Sequence, residues 1–233
     1  MRRREFIALV GGAAAAAPPT ARAQQPAMPV VGFVSSRDAS ARIGAAFRKG
    51  LNETGTIEGQ NVRVEYHWLE GQYDRLPSLM ADLVRRRVAV IATTNPPGAL
   101  AAKAATTTIP IVFGVPEDPV KLGLVASLAR PGGNATGINF FLAEVLAKRL
   151  SLLHDLVPKA VRIAVLVNPA NAPNTEATLR EIPEAARALG LQTQVLNAST
   201  NCEIEAAFAA LARDRADAPP AGFYFLPWRN NRD

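Results

Sequence analysis

The chain has 233 residues, of which 48% are hydrophobic and 20% are charged, and its formal net charge is +6. This is an ordinary soluble globular composition, long enough for one large domain or two small ones. The single cysteine, Cys202, excludes an internal disulfide and a metal cluster built from thiolates.

The first 23 residues have the pattern of an export signal. Arg2, Arg3 and Arg4 form a basic start, residues 7–17 are apolar, and a small residue, Ala23, ends the cleavage motif. The apolar run is too short to span a bilayer, which takes about 20 residues of helix. We predict cleavage near Ala23 and a soluble mature protein. The run RREFI at residues 3–7 also fits the twin-arginine pattern.

Most of the basic excess belongs to this signal. Its removal takes away four arginines and one glutamate, which lowers the formal net charge from +6 to +3. The remaining basic run, residues 85–87, stands at the predicted end of a helix, where cations complement the helix dipole. We therefore expect no binding of nucleic acid.

Residues 28–138 are predicted to form a first α/β lobe. Four apolar or alternating runs read as strands, at residues 30–34, 61–68, 88–93 and 109–115. Helices separate them: one over residues 40–53, one capped by Asp74 with Pro77 in its first turn, and an Ala-rich helix ending near Thr106. Strands that alternate with helices of this length predict a parallel sheet.

The second predicted strand alternates between two faces. Val62, Val64, Tyr66 and Trp68 share one face, and His67 lies on the polar one. His67 is therefore predicted to be solvated.

A crossing between lobes is predicted after the fourth strand. The strand breaks at residues 116–119, and Gly132, Gly133 and Asn134 follow an amphipathic segment. These three residues fit a hinge, since a hinge needs a few residues that absorb backbone rotation. Ordinary turn chemistry is the alternative explanation.

Residues 139–233 repeat the pattern as a second lobe. Strands are predicted at residues 161–167, 191–196 and 221–226, and helices at residues 142–156, 175–189 and 204–211. Three strands bury little core, and small domains are difficult to stabilise.

No catalytic constellation stands out in the sequence. The two histidines, His67 and His154, do not have zinc-site spacing, and neither a phosphate-binding glycine loop nor a nucleophile elbow is present. We predict a protein that is not an enzyme and has no metal or other cofactor.

Polar residues gather where the predicted strands end. In open parallel sheets, ligands bind beyond the carboxyl ends of the strands. The candidate ligand-binding residues are Ser35, Ser36, Thr93, Thr94, Asn95, Glu117, Asp118, Asn171 and Asn174. Hydroxyls and helix N-termini suit a carboxylate, and Asp118 suits a cationic amine. The alternative is that these residues only cap helices and form turns.

Six segments resemble the substrate-binding proteins of ABC transporters of the tryptophan/tyrosine-import type. In order along the chain they are YDRLP at residues 73–77, KAATTTIPIV at 103–112, DPV at 118–120, GLV at 123–125, RPGGNATG at 130–137 and KRL at 148–150. The resemblance extends from about Met28 to about Leu211.

The resemblance implies a two-lobed periplasmic-binding fold, type I-like, with parallel Rossmann-like sheets. It also implies a monomer in the periplasm that closes on a small organic solute, such as an amino acid, and delivers it to an ABC permease. By the same resemblance, Thr93, Thr94, Asp118 and Asn174 match positions that line the cleft.

The match is lost from about Ala218, whereas the family continues for about ninety residues more. A premature stop or frameshift and an incomplete second lobe are therefore expected. Two other readings stay open: a two-lobed ligand sensor for a membrane receptor, and a non-functional truncated copy. An exported hydrolase-like enzyme is disfavoured by the scarcity of histidine.

Overall fold

A computed structural model describes residues 28–38, 42–142 and 145–213. Strands and helices alternate along them, and a 3₁₀ helix, Tyr73–Arg75, precedes the second α-helix. The elements are β1 (Val30–Ser35), α1 (Arg42–Glu53), β2 (Arg63–Trp68), α2 (Leu76–Arg85), β3 (Val90–Thr93), α3 (Pro96–Ala105), β4 (Ile111–Val115), β5 (Ala135–Asn139), α4 (Leu146–Leu156), β6 (Arg162–Val167), α5 (Ala172–Ala188), β7 (Gln192–Asn197) and α6 (Asn201–Arg213).

Two parallel sheets organise the described residues. The first has five strands in the order β2-β1-β3-β4-β5, and the second pairs β6 with β7. Parallel neighbours need a crossover connection, and helices supply most of these connections here. The predicted α/β class with two parallel lobes is confirmed.

Each lobe is built on its own apolar core. On one face of the first sheet, Ile91, Ile111 and Val115 are fully buried together with side chains of α2 and α3. The other face carries an aromatic group in which Phe33 contacts Phe47, Tyr66 and Trp68. In the second lobe, α4 and α5 pack on β6 around Leu150, Ile163 and Ile182.

The predicted hinge is wrong, because Gly132, Gly133 and Asn134 lie within the first lobe. They precede β5, which pairs with β4 from Ile111↔Ala135 to Val115↔Asn139. Asn134 Nδ2 donates hydrogen bonds to the carbonyl oxygens of Thr106 and Ile109, at 3.1 and 2.8 Å, and so fixes this loop to its own lobe. The chain leaves the first sheet after Asn139, and the first lobe has five strands rather than four.

Two local predictions in the first lobe are also corrected. Asp74 lies inside the 3₁₀ helix, and Arg75 takes the N-cap position of α2, although Pro77 does fall in the first turn. His67 is half-buried: its side chain is 27% exposed, and its Nε2 atom has no hydrogen-bond partner but lies 3.9 Å from Glu65 Oε2. Burial lowers the pKa of His67.

The export signal, residues 1–23, and the predicted strand at residues 221–226 lie outside the described residues. Within residues 28–38, 42–142 and 145–213, no helix is long and apolar enough to cross a membrane.

Candidate functional site

The carboxyl ends of β1, β3 and β4 bring three predicted site residues to one edge of the first sheet. Ser35 ends β1, Thr93 ends β3, and Glu117 follows β4 by two residues. Parallel strands end at the same edge, so these side chains share one side of the lobe. They are 0, 3 and 4% exposed, which is unusual for polar residues.

Ser35 has a local structural role. Its Oγ accepts a hydrogen bond from Thr94 Oγ1 at 3.1 Å and one from the Arg37 N–H at 3.3 Å. The Thr94 N–H also donates to the Val34 carbonyl oxygen at 3.2 Å. Ser35 and Thr94 therefore join the loops after β1 and β3, while Thr93 Oγ1 is buried without a hydrogen-bond partner.

Asn95 caps α3. Its Oδ1 accepts a hydrogen bond from the Gly98 N–H at 2.7 Å, and its Nδ2 is buried without a partner. The first two residues of the helix are Pro96 and Pro97, which have no N–H group. The third N–H is already used by Asn95. The N-terminus of α3 therefore has no free amide among its first three residues, and the predicted capture of a carboxylate by helix amides is wrong at this helix.

Glu117 connects the two lobes. Asn174 Nδ2, in the first turn of α5, donates a hydrogen bond to Glu117 Oε1 at 2.6 Å. The second carboxyl oxygen, Oε2, is buried without a partner. Burial raises the pKa of Glu117, and the hydrogen bond from Asn174 opposes this change only in part.

Asp118 differs from its neighbour. Its Oδ1 accepts a hydrogen bond from the Val120 N–H at 2.8 Å, and its carbonyl oxygen accepts one from the Leu122 N–H at 3.0 Å. Asp118 is half-buried and closes the turn after β4. This is the turn-forming alternative that the sequence allows.

Asn171 lies at the start of α5. It occupies the N-cap position, yet its side chain makes no capping hydrogen bond, and its Oδ1 is buried without a partner. Its carbonyl oxygen accepts from the Thr175 N–H at 3.0 Å, which starts the helix. An N-cap side chain that does not cap is available for another contact.

A cavity of about 480 Å³ lies between the two lobes, next to the carboxyl end of β4. That volume lies within the range of about 300–1,000 Å³ that small-molecule sites occupy. First-lobe residues of its wall are Leu100, Pro116, Glu117, Asp118, Lys121 and Leu122, and those of α5 are Ala172, Pro173, Glu176, Ala177, Arg180 and Glu181.

Tyr73 belongs to the same region and is not among the predicted site residues. It is half-buried, it is hydrogen-bonded to Ser36, and its phenol lies within electrostatic range of Arg37 and Glu117. Burial raises its pKa. The sequence could have indicated Tyr73 as a site residue, because Tyr73 follows the Gly71 turn beyond the carboxyl end of β2. Ligands bind at this edge of parallel sheets.

Four buried polar atoms without partners come from this region. They are Thr93 Oγ1, Asn95 Nδ2, Glu117 Oε2 and Asn171 Oδ1, and the only others among the described residues are one nitrogen each of His67 and His154. An unpaired buried polar group costs about 1–3 kcal/mol, so such groups are rare unless they have a function. Of these four residues, Glu117 is the one that also forms part of the cavity wall. The described part of the chain has no group of three or more His, Cys, Asp or Glu side chains that could hold a metal ion.

Two parallel α/β lobes that meet at a polar cleft define the class of two-lobed solute-binding proteins. The family model described as "ABC transporter substrate binding protein" matches residues 28–218, and the chain belongs to this family.

Individual relatives agree with this family. The chain is 30% identical over 165 residues to a tyrosine-binding protein of Clostridioides difficile, an overlap that covers 71% of this chain and 47% of that protein. The chain thus spans about half the length of this curated relative. A conserved domain protein from Vibrio cholerae is 26% identical with a TM-score of 0.70, over 80% of this chain and 63% of the other. An ABC domain in complex with L-Trp from Streptococcus pneumoniae is 21% identical with a TM-score of 0.69, over 82% and 64%, which shows the shared fold.

Proposed function

We propose that this protein is the periplasmic solute-binding component of an ABC importer and that it holds a small organic solute between its lobes. The observation that carries the proposal is the cavity of about 480 Å³ between the lobes, whose wall contains Glu117, a buried carboxyl group with one unpaired oxygen. The chain acts as a monomer in this proposal, and its partner is an ABC permease in the inner membrane. The sequence pattern of residues 1–23 supports export.

The proposed ligand is an amino acid, with aromatic ones first. Support comes from the name of the Clostridioides difficile relative and from the L-Trp complex of the Streptococcus pneumoniae structure. Thr93, Asn95, Glu117 and Asn171 are the proposed contact residues, because each has a buried polar atom without a partner. Asn174 orients Glu117, and Ser35, Thr94 and Asp118 hold the loops that present the contact residues. Ser36 acts through its hydrogen bond with Tyr73.

Thermal unfolding of the full chain with and without ligand tests this function. A solute that binds only the folded state stabilises it by RT ln(1 + [L]/Kd), which is about 2.7 kcal/mol at one hundred times Kd. L-tyrosine, L-tryptophan and L-leucine are the first probes, followed by the other amino acids, with D-glucose as a control of different chemistry. We expect at least one amino acid to raise the unfolding temperature and D-glucose to leave it unchanged. A folded chain that responds to no amino acid would contradict the proposal.

A further inference from the structure

We propose that Glu117, rather than Asp118, is the specificity-determining residue of the cleft, and that with Asn171 it selects solutes that carry a protonated amine. The inference rests on the proposed function and specifies the chemical class of ligand that the site accepts.

The orientation of the Glu117 carboxyl group is fixed from the opposite lobe. Its side chain is 4% exposed, and Oε1 is held by Asn174 Nδ2 at 2.6 Å. Rotation of the carboxyl group would break that hydrogen bond, so Oε2 stays where it is. Glu117 also forms part of the cavity wall. The cavity wall therefore contains a buried acceptor that is held in place from the opposite lobe.

Asn171 has a second unpaired acceptor. It is the N-cap residue of α5 and precedes Asn174, whose side chain contacts Glu117, by three positions. Its unpaired atom is the oxygen Oδ1. An ammonium group has three N–H donors and is complementary to a carboxylate oxygen and an amide oxygen together.

The charge of Glu117 also favours a cation. Burial and hydrogen bonds set the pKa of Glu117, and no lysine, arginine or histidine side chain of the described residues contributes to it. A buried carboxylate without a cationic partner is costly, and a bound ammonium group removes that cost. Asp118 lacks these properties, because it is half-buried and its Oδ1 already accepts the Val120 N–H.

The unpaired polar groups at the N-terminus of α3 are neutral, whereas the cavity wall itself contains two cations, Lys121 and Arg180. Pro96 and Pro97 remove two amides of the α3 N-terminus, and Asn95 Oδ1 takes the Gly98 N–H. The donors that remain there are neutral ones, Asn95 Nδ2 and the Thr93 hydroxyl.

Two matched sets of probes separate the amine from the carboxylate. The first is L-tyrosine, tyramine and 3-(4-hydroxyphenyl)propionate, and the second is L-leucine, isoamylamine and 4-methylpentanoate. Binding to the full chain is measured by calorimetry for the wild type, Glu117→Gln and a matched control, Glu184→Gln, which changes an exposed carboxylate of α5 outside the cavity wall. Circular dichroism confirms that each variant is folded.

In at least one set, we expect the deaminated acid to bind the wild type about 10–100-fold more weakly than the amino acid, since a hydrogen bond to a charged group contributes about 1.5–3 kcal/mol. Glu117→Gln keeps an acceptor for Asn174 but removes the charge, so it should weaken amino acid and amine by about tenfold or more and leave the acid unchanged. Glu184→Gln should change the affinity for neither the amino acid nor the amine.

Two results overturn the inference alone: deaminated acids that bind the wild type as tightly as the amino acids, or a Glu117→Gln variant with unchanged preference. Absence of binding by both sets and by every other amino acid would overturn the proposed function as well.

Discussion

Asn174 Nδ2 donates a hydrogen bond of 2.6 Å to Glu117 Oε1, and this bond joins the first turn of α5 to the loop after β4. The two residues belong to different lobes and are 57 positions apart in the chain. Because Glu117 is buried and its Oε2 has no partner, the carboxyl side chain depends on this bond.

Removal of the amide at this position should destabilise the protein. Asn174→Ala removes the side-chain hydrogen bond to Glu117 Oε1, and an unsatisfied buried acceptor costs about 1–3 kcal/mol. Urea unfolding followed by circular dichroism measures the free energy of unfolding. The control is Glu176→Ala, two positions along the same helix and exposed, which should stay within about 0.5 kcal/mol of the wild type.

A double-mutant cycle isolates the pair. Glu117→Gln keeps a carbonyl acceptor, whereas Glu117→Leu removes it. Asn174→Ala should therefore cost less in the Glu117→Leu background than in the wild type, with an interaction energy of about 0.5–3 kcal/mol. Additive effects of the two substitutions would show that the bond contributes nothing to stability.

The pH dependence of stability should carry the signature of Glu117. Burial raises its pKa above the ordinary value of 4.5, so the folded state holds this proton to a higher pH than the unfolded state does. The contribution is fully present below 4.5 and is lost as pH rises through the folded pKa. Relative to the wild type, Glu117→Gln should gain stability as pH increases through that window.

Denaturant unfolding at several pH values between about 4 and 8 checks this sign. The difference in free energy of unfolding, variant minus wild type, should become more positive with pH. Glu176→Gln serves as the reference, because the carboxylate that it replaces is exposed. A difference that falls with pH, or that does not change, would contradict the raised pKa of Glu117.

Gly98 should be required for the cap of α3. A Cβ atom at this position would lie 3.0 Å from Asn95 Oδ1 and 3.3 Å from Nδ2, so Gly98→Ala should displace the capping side chain. Loss of an N-cap costs about 1 kcal/mol. In α1, a Cβ atom at Gly50 would meet nothing within 4 Å, and Gly50→Ala should instead stabilise by up to about 1 kcal/mol through helix propensity. Thermal unfolding of both variants gives the comparison, and equal effects would refute the proposed clash with Asn95.

The strands and cores that follow hydrophobic periodicity were predictable from the sequence. The apolar run that became β4 and the alternating run that became β2 lie within one or two residues of their predicted bounds. The polar residues at the strand ends were predictable for the same reason, because parallel strands place their carboxyl ends at one edge. Local pattern therefore indicates where a cleft lies.

Local pattern does not indicate which polar atoms at that edge stay unpaired. Glu117 and Asp118 are adjacent carboxylates, and their roles differ because Asn174 approaches one while the Val120 N–H approaches the other. The first of these contacts joins residues 57 apart. The partial burial of His67 also arises from packing between elements. Its own strand alternates as a half-exposed strand does, so the local pattern places His67 on the exposed face.

The fifth strand, β5, was not predicted, because Gly137 interrupts an already short run at the edge of the sheet. The reason for this glycine lies in the neighbouring strand. A Cβ atom at position 137 would overlap the carbonyl oxygen of Phe113 and lie 2.6 Å from its ring. Gly137 thus lets β5 pair closely with β4.

Gly137→Ala should therefore loosen or detach β5, since backbone cannot move aside as a flexible side chain can. We expect a loss of about 1–3 kcal/mol or more in the free energy of unfolding, the usual cost of overpacking. Gly133→Ala is the matched control, because a Cβ atom there meets nothing within 4 Å, and it should stay within about 0.5 kcal/mol of the wild type. Hydrogen exchange of the Phe113 and Val115 amides would locate the effect. If both variants unfold at the same urea concentration, the close pairing of β4 and β5 at Gly137 is wrong.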